Sequence, residues 1–178
     1  MENSNYFNCE NCPYKDGLHL NEELYKIRNS PLLPEINDSK TLLVFQSPGI
    51  NEWSTGRPIS STSSHSAAHK IESAFKIFNK SRKDFDITNA VQCYTGKRRN
   101  NGIIEPRDQS VNKLASKICA LRLQNLIIKN QYNNLIVFGA VAKNSIEKIS
   151  LPKNLSVSFS KHPSARGVSI NMLAMLFK

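Results

Sequence analysis

The stretch "TLLVFQSPGINEWSTGRPI", residues 41–59, runs from an apolar segment straight into Gln46, Ser47, Pro48 and Gly49. Thr41–Gln46 reads as a short strand. An ordinary turn does not need a polar Gln at the strand tip, then a rigid Pro, then a Gly where backbone can approach something closely. Three more short apolar segments have the same character: Phe85–Asn89, Leu135–Phe138 and Leu155–Phe159. Helical patterns separate them, near Ser66–Asn79, Asp108–Asn130, Val141–Ile149 and Ile170–Phe177. This alternation predicts an α/β fold with a parallel sheet covered by helices.

In the long helix, Leu114, Ile118, Leu121, Leu126 and Ile127 recur on one broad face, and Lys113, Lys117 and Arg122 fall elsewhere. Two segments, "ISSTSSHS" (59–66) and "TGKRRNNGIIEP" (95–106), read as long loops. No internal repeat or linker divides the chain, so residues 1–178 read as one domain. Open parallel sheets bind ligands outside the carboxyl ends of their strands. Gln46, Asn89, Gly139 and "SKHPSARG" (160–167) sit at such ends and are expected to converge.

A chain of 178 residues buries roughly 70% of the surface its unfolded form exposes, so it needs no disulfide to fold. There is no N-terminal apolar stretch after a basic start and no run of 18 or more apolar residues. Export and membrane spanning are therefore not expected, and the cytoplasm is the expected compartment. With 24 Lys and Arg against 14 Asp and Glu, the net charge is +10, which tilts the partner towards a polyanion such as nucleic acid.

The four cysteines carry a separate signal. Cys9 and Cys12 form a C-x-x-C, Cys93 follows the second strand, and Cys119 lies in the long helix. Four thiolates suit a structural zinc or an iron-sulfur cluster in a reducing compartment. Spacing alone leaves open that Cys93 and Cys119 are ordinary buried cysteines. Two widely spaced single cysteines lean towards a cluster that ties the N-terminal tail, about residues 1–20, to the domain.

Five motifs now stand in order: "FQSPGINEWSTGRPI" (45–59), "ITNAVQC" (87–93), Cys119, "VFGAVA" (137–142) and "HPS" (162–164). Together they resemble the uracil-DNA glycosylase superfamily, most closely its iron-sulfur branch, family 4. That branch has a first motif G-E-A-P-G-x-x-E-D-x-x-G-x-P-F, of which Pro48, Gly49, Glu52, Gly56 and Pro58 are kept in register, then I-T-N-x-V-x-C, a fourth cysteine in the next helix, G-x-x-A and H-P-S. The resemblance covers nearly the whole chain. It implies a three-layer αβα sandwich around a central, mainly parallel four-stranded sheet, and a four-iron four-sulfur cluster on Cys9, Cys12, Cys93 and Cys119, with zinc as the alternative. It further implies a monomer that acts on double- or single-stranded DNA, with no membrane partner.

The resemblance also implies roles. A glycosylase extrudes its target nucleotide into a pocket, because the glycosidic bond is unreachable inside the stack. The backbone of Ser47, Pro48 and Gly49 would approach the flipped nucleotide and its phosphates. Asn89 matches the base-reading Asn, whose amide offers an acceptor and two donors. His162 matches the His that donates to O2 of the departing base. Ser164 belongs to the same motif, and Arg166 is placed to enter the DNA where the base has left. Lys97, Arg98 and Arg99 would grip flanking phosphates.

Departures from the pattern bear on substrate and mechanism. Gln46 stands where the family has the Glu that helps activate water, and an amide can position water without taking its proton. Glu52 and Asp86 are the nearest carboxylates that would serve instead. Ile59 replaces the Phe that stacks on uracil, and Ser60, Ser61, Thr62, Ser63, Ser64 and His65 replace small apolar residues, which implies a wider, wetter pocket. The same Ser and Thr residues would also serve as caps for the next helix. Three readings follow: a glycosylase acting on a modified, possibly glucosylated hydroxymethyl, cytosine of phage DNA in antiviral defence; a conventional uracil-DNA glycosylase of base-excision repair; or a non-catalytic DNA-binding, lesion-sensing relative.

Overall fold

Along the first strand Leu42 and Val44 point to one side and Leu43 and Phe45 to the other, and the layers of the molecule follow from that alternation. The computed structural model describes residues 9–178 except positions 18, 22, 24–26, 29, 62 and 65. The elements in chain order are β1 (Thr41–Phe45), α1 (Ile50–Thr55), α2 (Ala67–Ile77), β2 (Asp86–Asn89), β3 (Lys97–Asn100), β4 (Ile103–Asp108), α3 (Lys113–Asn130), β5 (Asn134–Phe138), α4 (Ala140–Ile146), β6 (Ser156–Ser160) and α5 (Ile170–Ala174).

The central sheet has four strands in the order β2-β1-β5-β6, all parallel, with Phe45 opposite Asn89 and Val44 opposite Val137. On one face Leu43, Phe45, Ile87, Ile136 and Phe138 pack against Ala68, Ile71 and Phe75 of α2, Leu173 of α5, and Phe177. On the other, Leu42, Val44, Leu135 and Val137 meet Leu123, Leu126 and Ile127 of α3 and Ala142 and Ile146 of α4. The protein is thus an α/β three-layer sandwich. Phe45 stacks on Phe138 with ring centroids 4.6 Å apart. Such stacking adds about 0.5–1.5 kcal/mol to the roughly 1.5–3 kcal/mol from burying each ring, so burial dominates.

The structure corrects several boundaries. "TGKRRNNGIIEP" is no loop: it holds the antiparallel hairpin of β3 and β4. The hairpin turns at Asn101 and Gly102, whose φ values of 48° and 80° are those a two-residue type I′ turn demands. The long helix begins at Lys113 rather than Asp108, capped by Asn112, whose Oδ1 accepts the N–H groups of Leu114 and Ala115 at 2.8 and 3.3 Å. Its buried face is only partly the expected one: Leu126 and Ile127 point inward together with Ala115, Cys119, Arg122 and Leu123, while Leu114 and Leu121 are exposed. Leu114, Leu121 and Ile128 recur every seven residues as a second, outward stripe, so apolar periodicity alone picks no single face.

The N-terminal segment is held by more than cysteines. Asn112 N–H donates to the Tyr14 hydroxyl at 2.8 Å, and His19 Nε2 lies 2.7 Å from the Tyr94 carbonyl. Of the tail expected at about 1–20, residues 1–8 and 18 lie outside the described residues. Further on, Glu35 makes an antiparallel bridge to Ile87 at the open edge of β2. Among the described residues, no helix is long and apolar enough to cross a membrane.

Candidate active site

From β1 the chain adds β2 on one side, then crosses to place β5 on the other. The strand order reverses between β1 and β5, and at such a switch point the loops leaving the carboxyl ends diverge and open a crevice. Gln46 leaves β1 there and Gly139 leaves β5. A cavity of about 560 Å³ opens at this end, lined among others by Phe45, Gln46, Ser47, Gly49, Glu52, Ile59, Asp108, His162 and Ser164. That falls within the range of about 300–1,000 Å³ typical of small-ligand pockets. Ser60, Ser61, Ser66 and Ser110 add hydroxyls to its wall. Ser66 also caps α2 by accepting the His69 N–H at 3.1 Å. Thr62 and His65 of the same stretch lie outside the described residues.

Gln46 is held on both sides. Its Oε1 accepts the Val141 N–H at 3.4 Å, which leaves the amide NH2 as the end free to donate. Its side chain lies flat on Gly139, where an added Cβ would come within 2.9 Å of Gln46 Cδ and where φ is 88°. Glycine is required at 139 on both counts.

His162 Nδ1 accepts the Ser164 N–H at 3.3 Å. The neutral ring then carries its proton on Nε2, and burial pushes its pKa below the ordinary value, which favours that neutral form. His162 therefore offers the cavity one N–H donor without bringing a charge.

Glu52 is the half-buried carboxyl of the cavity. Burial raises its pKa, the N–H groups of Gly49 and Ile59 oppose that by bonding to it, and the nearby Asp108 raises it further. The Gly49 bond is the reciprocal half of a cap at the start of α1. Ile59, which stands where the sequence resemblance places an aromatic wall, is 2% exposed and has a φ of 47°. For a β-branched residue this is a genuine outlier, costing on the order of 1–3 kcal/mol. The Arg82 guanidinium holds it, donating to the Pro58 and Ile59 carbonyls at 2.8 and 2.7 Å. Arg82 is in turn fixed by Glu35, which also takes Arg57.

Asn89 sits across from Phe45, on the same face of the sheet, but does not line the cavity. It is 2% exposed, and neither its amide oxygen nor its nitrogen has a hydrogen-bond partner among the described residues. A buried polar group left unpaired costs about 1–3 kcal/mol, so this amide next to the cavity is the least explained polar group of the core. Pro48 is buried and outside the lining, and Arg166 is exposed and outside it. Lys97 is tied to Asp108 at 2.7 Å and to the Pro106 carbonyl, Arg98 lies 4.0 Å from Glu105, and Arg99 is exposed on the hairpin.

Asp86 is not a site carboxylate. It lies at the opposite, amino end of β2, where it accepts the N–H groups of Asn37 and Ser39 and, at 2.6 Å, the Tyr132 hydroxyl. Three residues at about 3.3 Å each separate it from the strand tip. The carboxylate that the sequence reading missed is Asp108, brought to the cavity by the foot of the hairpin and held by Tyr94 at 2.9 Å. Its signal was the Asn-Gly turn, which fixes the return strand that ends there.

Cys12, Cys93 and Cys119 are buried in one cluster with Tyr14, Trp53 and Tyr94, and Cys9 packs against it. Burial raises the thiol pKa values of Cys9, Cys12 and Cys93, and the proximity of other thiols raises all three further. Backbone N–H groups of Tyr14 and Lys15 bond to Cys12, and the buried Arg122 guanidinium bonds to Cys119. Among the described residues no group of three or more His, Cys, Asp or Glu side chains is gathered closely enough to hold a metal ion. The four cysteines nonetheless lie in one packed cluster, and four sulfur donors with N–H groups on Cys12 and a guanidinium on Cys119 are the donor chemistry that a thiolate-bound cluster uses.

No protein-family model matches the chain, and no curated protein sequence matches it.

Proposed function

We propose that the chain is a DNA glycosylase of the uracil-DNA glycosylase superfamily, iron-sulfur branch, which hydrolyses the N-glycosidic bond of a flipped nucleotide, with a modified cytosine as the substrate. The observation that carries this reading is one cavity, at the switch point of the sheet, lined together by Gln46, Glu52 and His162. In that reading His162 Nε2–H donates to O2 of the base as the bond from C1′ to the base nitrogen breaks and its electron pair leaves with the base. Water adds to C1′ and passes its proton to Glu52 or Asp108, the two carboxyls of the cavity. A Glu with a raised pKa is the better base near neutral pH. Asn89 is buried outside the cavity lining, so its amide would meet the edge of the base only if the wall beside Phe45 opened, and the hydroxyl-rich wall suits a polar substituent. The experiment is to incubate the protein with uracil-containing, unmodified and glucosylated phage DNA and count abasic sites. Sites in the glucosylated DNA alone support the reading; sites in uracil DNA alone make it a repair enzyme; none leaves a DNA-binding relative.

Gln46→Glu tests the substrate. A carboxylate accepts the Val141 N–H as well as the amide does, so the fold is expected to stand. Single-turnover excision from uracil DNA is expected to rise, and excision of a bulky modified cytosine to fall as the amide donor is lost. A fall on both substrates would remove Gln46 from the role given to it.

The cysteines would hold a four-iron four-sulfur cluster in a structural role, because base excision transfers no electrons. Anaerobically purified protein is expected to be brown, with broad visible absorption. Cys119→Ser is expected to bleach it and to make the segment around residues 9–20 sensitive to protease. A colourless protein with one bound zinc would replace the cluster by zinc.

A further inference from the structure

The β3–β4 hairpin is a free two-stranded ribbon that carries, near its turn, two large apolar side chains in water. Ile103 is 72% exposed and Ile104 53%, and they lie on opposite faces of the ribbon. Burying each would gain about 1.5–3 kcal/mol, yet the chain leaves both uncovered. The surrounding residues are basic: the hairpin holds Lys97, Arg98, Arg99 and Arg107 against Glu105 and Asp108, four positive charges less two negative, a net +2. The two acidic residues lie against Lys97 and Arg98, so Arg99 and Arg107 stand exposed without an ion pair among the described residues. The foot of the ribbon, Asp108, lines the cavity. At about 3.4 Å per residue, Ile104 and Ile103 stand roughly 14–17 Å along the strand from that foot.

We propose that this hairpin is the wedge that opens duplex DNA at the target nucleotide, with Ile103 and Ile104 entering the base stack and Arg99 and Arg107 holding the flanking phosphates. The inference rests on the glycosylase reading of the cavity. Three points favour DNA over a protein partner: a two-stranded ribbon fits a DNA groove about 12 Å across, apolar side chains are the usual wedge between base steps, and the flanking charge is positive in a chain of net charge +10. The sequence reading gave the entry into DNA to Arg166; the hairpin supplies an apolar group that can replace a stacked base, which an arginine beside the His162 loop does not.

The test compares wild type with Ile103→Ser/Ile104→Ser on duplex and single-stranded DNA carrying the same target base, and on a duplex with 2-aminopurine beside an abasic analogue. The double variant is expected to lose about tenfold or more in single-turnover excision from duplex and nothing from single strand. It should also lose the rise in 2-aminopurine fluorescence that wild type produces. Arg99→Ala/Arg107→Ala should flatten the slope of log affinity against log salt by up to about 1.8, at 0.9 per contact. Equal losses on duplex and single strand, or none, overturn the wedge while leaving the glycosylase standing. Where wild type excises nothing, the glycosylase reading fails, and the fluorescence decides the wedge: a rise abolished by the isoleucine substitutions keeps it. No rise, or an unchanged one, overturns it and leaves the hairpin to a protein partner.

Discussion

His162→Ala is expected to slow excision by on the order of 10²-fold or more, the range seen when one donor to a developing oxyanion is removed. The ring is the neutral donor of the cavity: Nδ1 is occupied by the Ser164 N–H, burial lowers the pKa, and Nε2–H is left for the ligand. Charge on the leaving base develops only as the glycosidic bond stretches, so the bond from His162 strengthens in the transition state and not in the bound complex. DNA affinity should therefore barely change while the single-turnover rate falls. The proton linkage gives a second readout. A folded pKa below the unfolded 6.5 means that the unfolded chain binds more protons between the two values, so this contribution to stability is present above about 6.5 and is lost as pH falls through the lowered folded value. The alanine variant should lack that increment. Equal rates for wild type and variant, on a substrate that wild type cleaves, would exclude His162 as the donor.

How far the sequence could be read depended on which forces set each residue. The unbroken apolar run of β1 reports a strand buried on both faces, and the Gln, Asn and Gly at three strand ends mark the carboxyl edge where the cavity opens. The hairpin escaped notice because neither of its faces is buried: "KRRN" shows no apolar alternation, and only Asn101-Gly102 betrays the turn. Arg122 was placed off the apolar face because α3 carries two apolar stripes, and the choice between them is made by Cys119 and the Asn89 carbonyl, which takes an Arg122 hydrogen bond at 3.1 Å. Asp86 looked like a site carboxylate through its closeness to Asn89 in sequence. A strand puts its two ends on opposite sides of the molecule. The left-handed backbone of Ile59 has no signal in its own residue type; it is held by an arginine 23 residues away and by the Glu52 carboxyl, which takes its N–H.

That arginine carries the largest expected effect on stability. Burial alone would raise the Glu35 carboxyl, but hydrogen bonds from Arg57 and Arg82 outweigh it and hold the pKa down at about 2, from 4.5. The Glu35 and Arg82 side chains are only 15% and 12% exposed, so solvent screens the pair little. A depressed carboxyl pKa stabilises the fold above the unfolded value of 4.5 and ceases to do so as pH falls through about 2. At about 1.4 kcal/mol per unit, wild type should lose about 3 kcal/mol across that window. Arg82→Ala should cost about 3–5 kcal/mol at neutral pH, because it leaves Glu35 with Arg57 alone and strips the donors from the Pro58 and Ile59 carbonyls. Urea midpoints between pH 2 and 7 measure both effects: the variant should be less stable at neutral pH and flatter in acid than wild type. Released from the clamp, Ile59 is free to leave φ 47°, and the wall it forms should move with it. Ligand affinity should then fall even where the protein remains folded. A variant with the acid profile and neutral stability of wild type would show that Arg82 bears no load here, and that the outlier at Ile59 is held by the Glu52 carboxylate instead.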